Sequence, residues 1–470
     1  MKSLKFTFLL LIAVNFCNAQ TKNKEKQLDS IFTILYKQNQ FNGTVLIADK
    51  GKVVFKKGYG YRDENSKALN SSTTIFELGS CSKQFTAMGI LLLAKQGKLS
   101  YNDQLSKYIP ELSFWNDVTI YNLLRHTSGV PEYLDAMRKE WDSTKIATNK
   151  DLINFYAKRK DTLNFKPNTN HRYCNTNYAL LASIIERVSG EDYATFLKEN
   201  IFVPLGMKNT FVYNRRQSPR KITNYAIGYV WARDSFKKVT SENPGYDEKM
   251  VYYLDGIVGS AKVNSTAEDL LKWINALKSN SFISAEDFNQ MTEITKTTKG
   301  KNIPYGFGLD VSKGENKFSF GHTGSWDGYA SFIYHNMPKD RTIIILQNFK
   351  MGTYSFNNIS QILDNKPVVT EYRSKINIPQ SEMEKYAGTY LDEKDKEEAH
   401  ILTYKNGHLF YNTPKVKWDM RFFPVSANEF SRISQGGVDG ILKFTKLENG
   451  DTKLEMLQYG NVIGTGIKSK

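Results

Sequence analysis

Two side chains that together can do nucleophilic chemistry open one apolar run. In FELGSCSKQFTAMGILLLAKQGK, Phe76 to Lys98, Ser80 and Lys83 stand three residues apart. That spacing sets an amine beside a hydroxyl on one helix face. A lysine stripped of water among Phe85, Met88, Ile90, Leu91 and Leu92 needs a reason to be there. Deprotonated by burial, it serves as base toward the serine, while the unpaired N–H groups of a helix start favour negative charge at Ser80. The same spacing recurs at Ser218–Lys221 and Ser235–Lys238, in polar segments that read as surface. Only Ser80 has the strand, turn and apolar helix this chemistry needs.

Two further groups fit the same chemistry. Tyr173-Cys174-Asn175 lies in HRYCNTNYALLASIIERVSG. In an extended segment, residues two apart face one way, so the phenol and the amide point together into a cleft and Cys174 into the body. A phenol near an ammonium loses its proton more easily and can relay it. The plainer reading is a Tyr that staples the start of a helix from Tyr178 to Val188. Gly321-His322-Thr323-Gly324-Ser325 sits between strand-like runs, and a strand glycine admits close approach of another backbone. Thr323 offers a hydroxyl, and the Ser325 N–H can form an oxyanion hole with that of Ser80. His322 alone also reads as an ordinary strand histidine.

Other residues have plainer roles. His126 and Ser128 in RHTSG suggest a serine–histidine pair, but no Gly-x-Ser-x-Gly elbow exists in the chain and the segment reads as a loop turn. His171 reads as rim or surface. Trp326, Tyr329 and Asp255 either border the pocket or serve the core. No His-Glu-x-x-His is present, so a metal site has no motif behind it.

The elements that must position these groups follow from pattern. FNGTVLIADKGKVVFKKGYGYRD, from Phe41, alternates around Lys50-Gly51 as a β-hairpin. Residues 104–280 are mostly helical in pattern. Strand signals return in YGFGLDV, KFSFGHTG, YASFIYH and RTIIILQ, and a short helix over 355–363 closes the unit. The expectation is an α+β domain, residues 20–365: an antiparallel sheet built from both ends of the region, flanked by helices, with a helical lobe beside it. Beyond Asn365-Lys366-Pro367, short alternating runs with Asn406-Gly407 and Asn449-Gly450 at turn positions predict a separate all-β, barrel-like domain, 366–470.

Composition bounds the rest. The 470 residues are 40% hydrophobic and 13% aromatic, enough for two packed cores. The net charge of +16 is scattered, without zinc-finger spacing, RNA-binding aromatics or leucine-zipper heptads, so nucleic acid is not an expected partner. The start, MKSLKFTFLLLIAVNFCNAQ, has the charged, apolar and small-residue order of a signal peptide, residues 1–19. Its apolar run is too short to span a bilayer. The mature protein is expected to be periplasmic or secreted, with no integral membrane span. Cys81 and Cys174 then remain, read as small buried residues, with a single bridge between them left open.

Taken together, Ser80-x-x-Lys83, Tyr173-x-Asn175 and His322-Thr323-Gly324 resemble the serine β-lactamase and penicillin-binding-protein-like superfamily, nearest its class C-like branch of esterases and D-amino-acid peptidases. FNGTVLIADKGKVVFKKGYG, LLRHTSGVPEY, PLGMKNTFV, STAEDLLKW and YGFGLD look like that branch too, so the resemblance covers about Phe41 to Leu363. The tail resembles the lipocalin-like domain often appended to such hydrolases. The resemblance implies Ser80 as acylated nucleophile, Lys83 as its proton acceptor and Tyr173 as partner base serving the leaving group. It further implies that Asn175 binds substrate and Lys83, and that His322, Thr323, Gly324 and Ser325 line the strand where substrate docks. No metal or organic cofactor is implied, and the substrates are small molecules or peptides. β-Lactamases of this branch usually carry lysine where His322 stands. A neutral imidazole attracts a carboxylate less, which favours peptide or ester substrates over β-lactams. A β-lactamase, a penicillin-binding DD-peptidase and a silent cell-wall binder are the alternatives.

Overall fold

The computed structural model describes residues 22–231, 238–241, 250–326, 328–349, 354–393, 395, 397–405, 407–414, 420–434 and 436–468. The expected leader, Ser235 and Asn406 lie outside the described residues. Contacts divide the chain into two compact units. One comprises Gly43–Val230 and Thr240–Lys350; the other takes the chain up to Asn42, Trp231–Val239 and Met351 onward.

The first unit is built on a six-stranded antiparallel sheet. Its strands are β1 (Gly43–Asp49), β2 (Lys52–Tyr59), β3 (Asp310–Gly314), β4 (Lys317–Trp326), β5 (Tyr329–Asn336) and β6 (Arg341–Gln347), in the order β3-β4-β5-β6-β1-β2. The sheet therefore joins both ends of the region, as expected. Lys50 and Gly51 turn the β1–β2 hairpin with φ of 52° and 73°, the left-handed pair that matches strand twist. On β6, facing β1, the run Ile343–Leu346 is buried on both faces, which explains its unbroken apolar sequence.

Helix α1 (Lys83–Lys95) is buried on nearly every side. Phe85 packs against Trp273 and Phe202 with ring centroids 4.7 and 5.4 Å away, a contact set whose burial contributes roughly 2–3 kcal/mol. Gly97, at φ 68°, ends the helix, and Lys98 N–H reaches back to Leu93 O, the usual glycine stop. Helix α2 (Asn175–Ser189) crosses close to α1: a Cβ on Gly89 would stand 2.7 Å from Ile185 Cδ1.

Two local expectations change. YGFGLDV is not a strand until Asp310; before it, Tyr305 makes one bridge and the rest is irregular. Its glycines serve close approach instead: a Cβ on Gly308 would lie 2.5 Å from Lys83 O. Strand β4 runs through the whole of Gly321–Ser325 rather than stopping at it. A short sheet unread in the sequence pairs Phe76–Glu77 with Val263–Ser265 and Phe211–Val212 with the same strand.

The second unit holds a closed barrel of eight antiparallel strands between Gly388 and Lys468, each paired to the next and sealed by Leu391 against Ile467. Tyr390, Leu409, Phe430, Leu442, Phe444 and Leu454 fill the interior, as eight strands allow. Asn449-Gly450 lies in a five-residue loop between Lys446 and Thr452, not a two-residue turn. Helix Phe356–Leu363 forms where expected but is grouped with this unit, where Asn358 donates to Gly437 O at 2.8 Å.

Candidate active site

Ser80 sits in the single 3₁₀ turn Gly79–Ser82 that leads into α1, so the helix proper begins at Lys83. Backbone approach at two glycines fixes this turn. Gly79 has φ 54°, and a Cβ there would stand 2.8 Å from Ser325 N. A Cβ on Gly324 would meet Leu78 O at 1.9 Å. Ser331 Oγ–H donates to Leu78 O at 2.6 Å, and Cys81 Sγ lies 3.1 Å from His322 O. Strand β4 pairs with β3 only as far as Gly321. Beyond that point its edge runs beside the serine turn.

Lys83 is fully buried. Its Nζ is 3.0 Å from Ser80 Oγ, 2.8 Å from Asn175 Oδ1 and 2.8 Å from Ser260 O. Burial lowers its pKa to about 7, opposed first by the charge of Glu132. As an ammonium Lys83 can donate to all three oxygens, and as the neutral amine it has one consistent assignment. The two oxygens of Asn175 and Ser260 can only accept, so they take the two hydrogens of a neutral amine. The lone pair is left for the Ser80 proton.

Tyr173 is partly exposed, and its hydroxyl is hydrogen-bonded to Ser80. Lys83 Nζ lies 4.8 Å over the ring centroid. The amine thus lies over the π-face, a position that favours its ammonium form. Burial pushes the phenol well above its ordinary pKa, so Tyr173 is a neutral donor and the lysine is the group made easy to deprotonate. Asn175 opens α2, while Cys174 points into the body and is buried. Cys81 and Cys174 are both free, which rules out a bridge between them.

His322 differs from expectation. It is buried, its Nδ1 lies 2.5 Å from Thr323 O and its Nε2 is 3.0 Å from the Tyr305 hydroxyl. A carbonyl only accepts, so Nδ1 carries the proton and Nε2 accepts from Tyr305. Burial, then the neighbouring Lys83, lowers its pKa to about 3. The ring holds the strand and is not offered to a ligand. Thr323 and Ser325 are exposed on β4, with Gly324 buried between them.

Three contributors carried no clear sequence signal. The Glu132 carboxylate accepts from Asn175 N at 2.7 Å, Asn175 Nδ2 at 3.1 Å and Leu134 N at 3.2 Å. Ser260 gives its carbonyl. His126 is more than a loop turn: fully buried at φ 56°, it accepts at Nδ1 from Cys174 N–H at 3.2 Å. Its ring lies 4.4 Å from that of Tyr173. Ser128 donates to Asn177 Oδ1 at 2.7 Å rather than to His126, so no serine–histidine pair forms. Asp255 is tied to Lys262 and Arg216, and the Tyr329 hydroxyl to Ala226 O. Ser218 and Lys221 are exposed outside any helix, as read.

Comparison with known proteins places the chain in a family. The family model described as Beta-lactamase matches residues 28–359. Penicillin-binding protein 4* of Bacillus subtilis (strain 168) is 39% identical over 333 residues, 71% of this chain and 73% of that protein. Protein flp of Staphylococcus aureus (strain MW2) is 30% identical over 339 residues, 70% of this chain and 64% of that protein. Two solved structures share the fold. The octameric penicillin-binding protein homologue from Pyrococcus abyssi has TM-score 0.61 at 23% identity, covering 90% of this chain and 95% of that one. The D-amino acid amidase from Ochrobactrum anthropi SV3 has TM-score 0.56 at 22% identity, covering 72% and 98%. The chain belongs to the beta-lactamase family and is a serine hydrolase of the β-lactamase and penicillin-binding-protein type.

Proposed function

We propose that this chain is an exported hydrolase that cleaves amide or ester bonds of small peptide-like or ester substrates through an acyl-enzyme on Ser80. The observation that carries the reading is the buried Lys83 amine, with Asn175 Oδ1 and Ser260 O taking its hydrogens and Ser80 Oγ at 3.0 Å. Neutral Lys83 removes the Ser80 proton as Oγ attacks the carbonyl carbon. The N–H groups of Ser80 and Ser325 receive the oxyanion. Collapse breaks the bond to the leaving group, which takes a proton passed from Lys83 through the neutral Tyr173 hydroxyl. Water, deprotonated by the same amine, then attacks the ester, and Ser80 regains its proton. Asn175 holds substrate as well as Lys83, and Thr323 lines the docking edge of β4 together with Gly324 and Ser325. His322 acts from beneath that edge, fixing the strand.

Peptide-like amides suit the names of the relatives, a penicillin-binding protein and a D-amino acid amidase. The neutral His322 leaves this edge without the cation that would draw a β-lactam carboxylate. The 39% identity to a penicillin-binding protein favours a second reading, a DD-peptidase that penicillin acylates and leaves only slowly. Export rests on the leader order of residues 1–19.

Intact-mass analysis of the mature protein, after a fluorophosphonate and separately after benzylpenicillin, tests this. One fluorophosphonate adduct, absent in Ser80→Ala, is expected, with no lasting penicillin adduct. A stable penicillin adduct selects the second reading. Folded protein that takes no fluorophosphonate overturns the nucleophile assignment.

A further inference from the structure

Glu132 stands forty-three residues before Asn175 and touches neither Ser80 nor Lys83 in any hydrogen bond, yet one of its carboxylate oxygens is given over to the residue that holds the base. One carboxylate oxygen takes both the backbone N–H and the side-chain amide of Asn175, at 2.7 and 3.1 Å. The other takes Leu134 N–H at 3.2 Å. All three partners are donors to the carboxylate; burial raises its pKa on balance, opposed by these bonds and by the charge of Lys83. The consequence for Asn175 is one of direction. An amide has an acceptor end and a donor end. With its donor end held by a carboxylate, only the oxygen can face Lys83. Were the amide reversed, an NH₂ group would point at the amine and would compete for the lone pair that Ser80 needs. The loop carrying Glu132 is itself tied to α2, because Tyr133 N–H donates to Thr176 Oγ1 and Thr176 Oγ1–H donates to Pro131 O.

We propose that Glu132 is the positioning residue for the base: it locks the Asn175 amide with its oxygen toward Lys83 and supplies the negative charge that sets how readily Lys83 gains and loses a proton. The proposal rests on the reading of Lys83 as base. The chain of contacts is Glu132 carboxylate, Asn175 amide, Lys83 amine, Ser80 hydroxyl. Its two effects on the amine differ in kind. The locked amide selects the hydrogen-bonding pattern that frees the lone pair, and the charge favours the ammonium over the neutral amine.

Other titratable groups surround Lys83, and they do not confound the effect. Cys81, on its own turn, and Cys174, on the Tyr173 loop, are pushed up to about 12 by burial. Tyr173, on that loop, and Tyr178, on α2, are raised as well. His322 on β4 and His126 on its loop are held neutral. Asp310, at the start of β3, titrates at about 6 through burial and is the same in any variant at position 132.

The test is the pH dependence of fluorophosphonate labelling of Ser80, read by intact mass between pH 5 and 9. It is run on the full mature chain and on Glu132→Gln and Glu132→Asp. The wild type should show labelling that falls below about pH 7. Removing the charge in Glu132→Gln is expected to move that limb down by about one pH unit and to slow labelling on the plateau at least tenfold. Glu132→Asp keeps the charge and should keep the limb while losing rate. If Glu132→Gln does not fold, Glu132→Ala takes its place with the same expected limb. Slower labelling with an unmoved limb in the uncharged variant, or equal limbs in all three proteins, overturns the proposal. That outcome leaves the nucleophile standing, whereas a wild type that never labels at Ser80 removes the reading beneath it.

Discussion

A primary amine at the end of four methylenes is ordinarily an ammonium, and Lys83 departs from that because it is buried against two carbonyl-type oxygens, a hydroxyl and two aromatic faces. Desolvation favours the neutral form and lowers the pKa to about 7. The base is active only when neutral. Turnover of a p-nitrophenyl ester should therefore fall about tenfold per pH unit below 7 and level off above it. A flat profile from pH 5 to 9 would remove Lys83 from the role. Lys83→Ala should cost roughly 10²–10⁴-fold in kcat/KM, with the protein still folded by circular dichroism. The Ser80–Lys83 pairing was legible because i and i+3 meet on any helix. Glu132 was not, since nothing local in GVPEY says which amide its carboxylate will hold. The Tyr173 phenol, expected to lose its proton easily, stays neutral for a related reason: spacing gives a side chain its direction, but only packing sets how deeply its hydroxyl is buried.

At the scale of elements, the nucleophile depends on two backbones being closer than any side chain permits. Gly324 in β4 lets Leu78 O approach to where a methyl group would be 1.9 Å away. Gly324→Ala should lower stability by more than about 3 kcal/mol, and should reduce ester turnover in whatever protein remains folded. Urea midpoint and turnover equal to wild type would refute this. The strand β4 and helix α1 were readable because alternation and an apolar run are local signals. YGFGLDV was assigned to a strand because alternating apolar residues look alike whether paired or looped. Gly306 and Gly308 there belong to a close approach to Met291 O and Lys83 O. The short sheet of Phe76–Glu77 with Val263–Ser265 was unreadable, as strands of two and three residues have no periodicity to show.

For the molecule as a whole, buried neutral histidines set the acid limit. His322 titrates at about 3 and His335 at about 4, and His126 lies well below its ordinary value, all chiefly through burial. The unfolded chain binds these protons near 6.5 and the folded chain only far below. Stability is therefore present above 6.5 and is lost as pH falls toward 4, by up to about 4 kcal/mol per pH unit if all three act together. The urea midpoint of the first unit should drop sharply from pH 7 to pH 5; equal midpoints would exclude the effect. Cys81 and Cys174 make a second global probe, since both thiols are buried and pushed up to about 12. Iodoacetamide should modify neither in native protein and both in denaturant, as intact mass will show. Modification of the native thiols would mean that this core opens.

Sequence alone determined the two kinds of architecture, the serine and lysine at one helix start, and a strand over KFSFGHTG, because each is written in local periodicity or in a residue type with few uses. Tertiary structure decided what the amine faces, which histidines are spent on holding strands, and that a carboxylate forty-three residues away orients Asn175. Those outcomes depend on burial and on hydrogen-bond partners brought from separate elements, and neither quantity exists until the chain has closed around them.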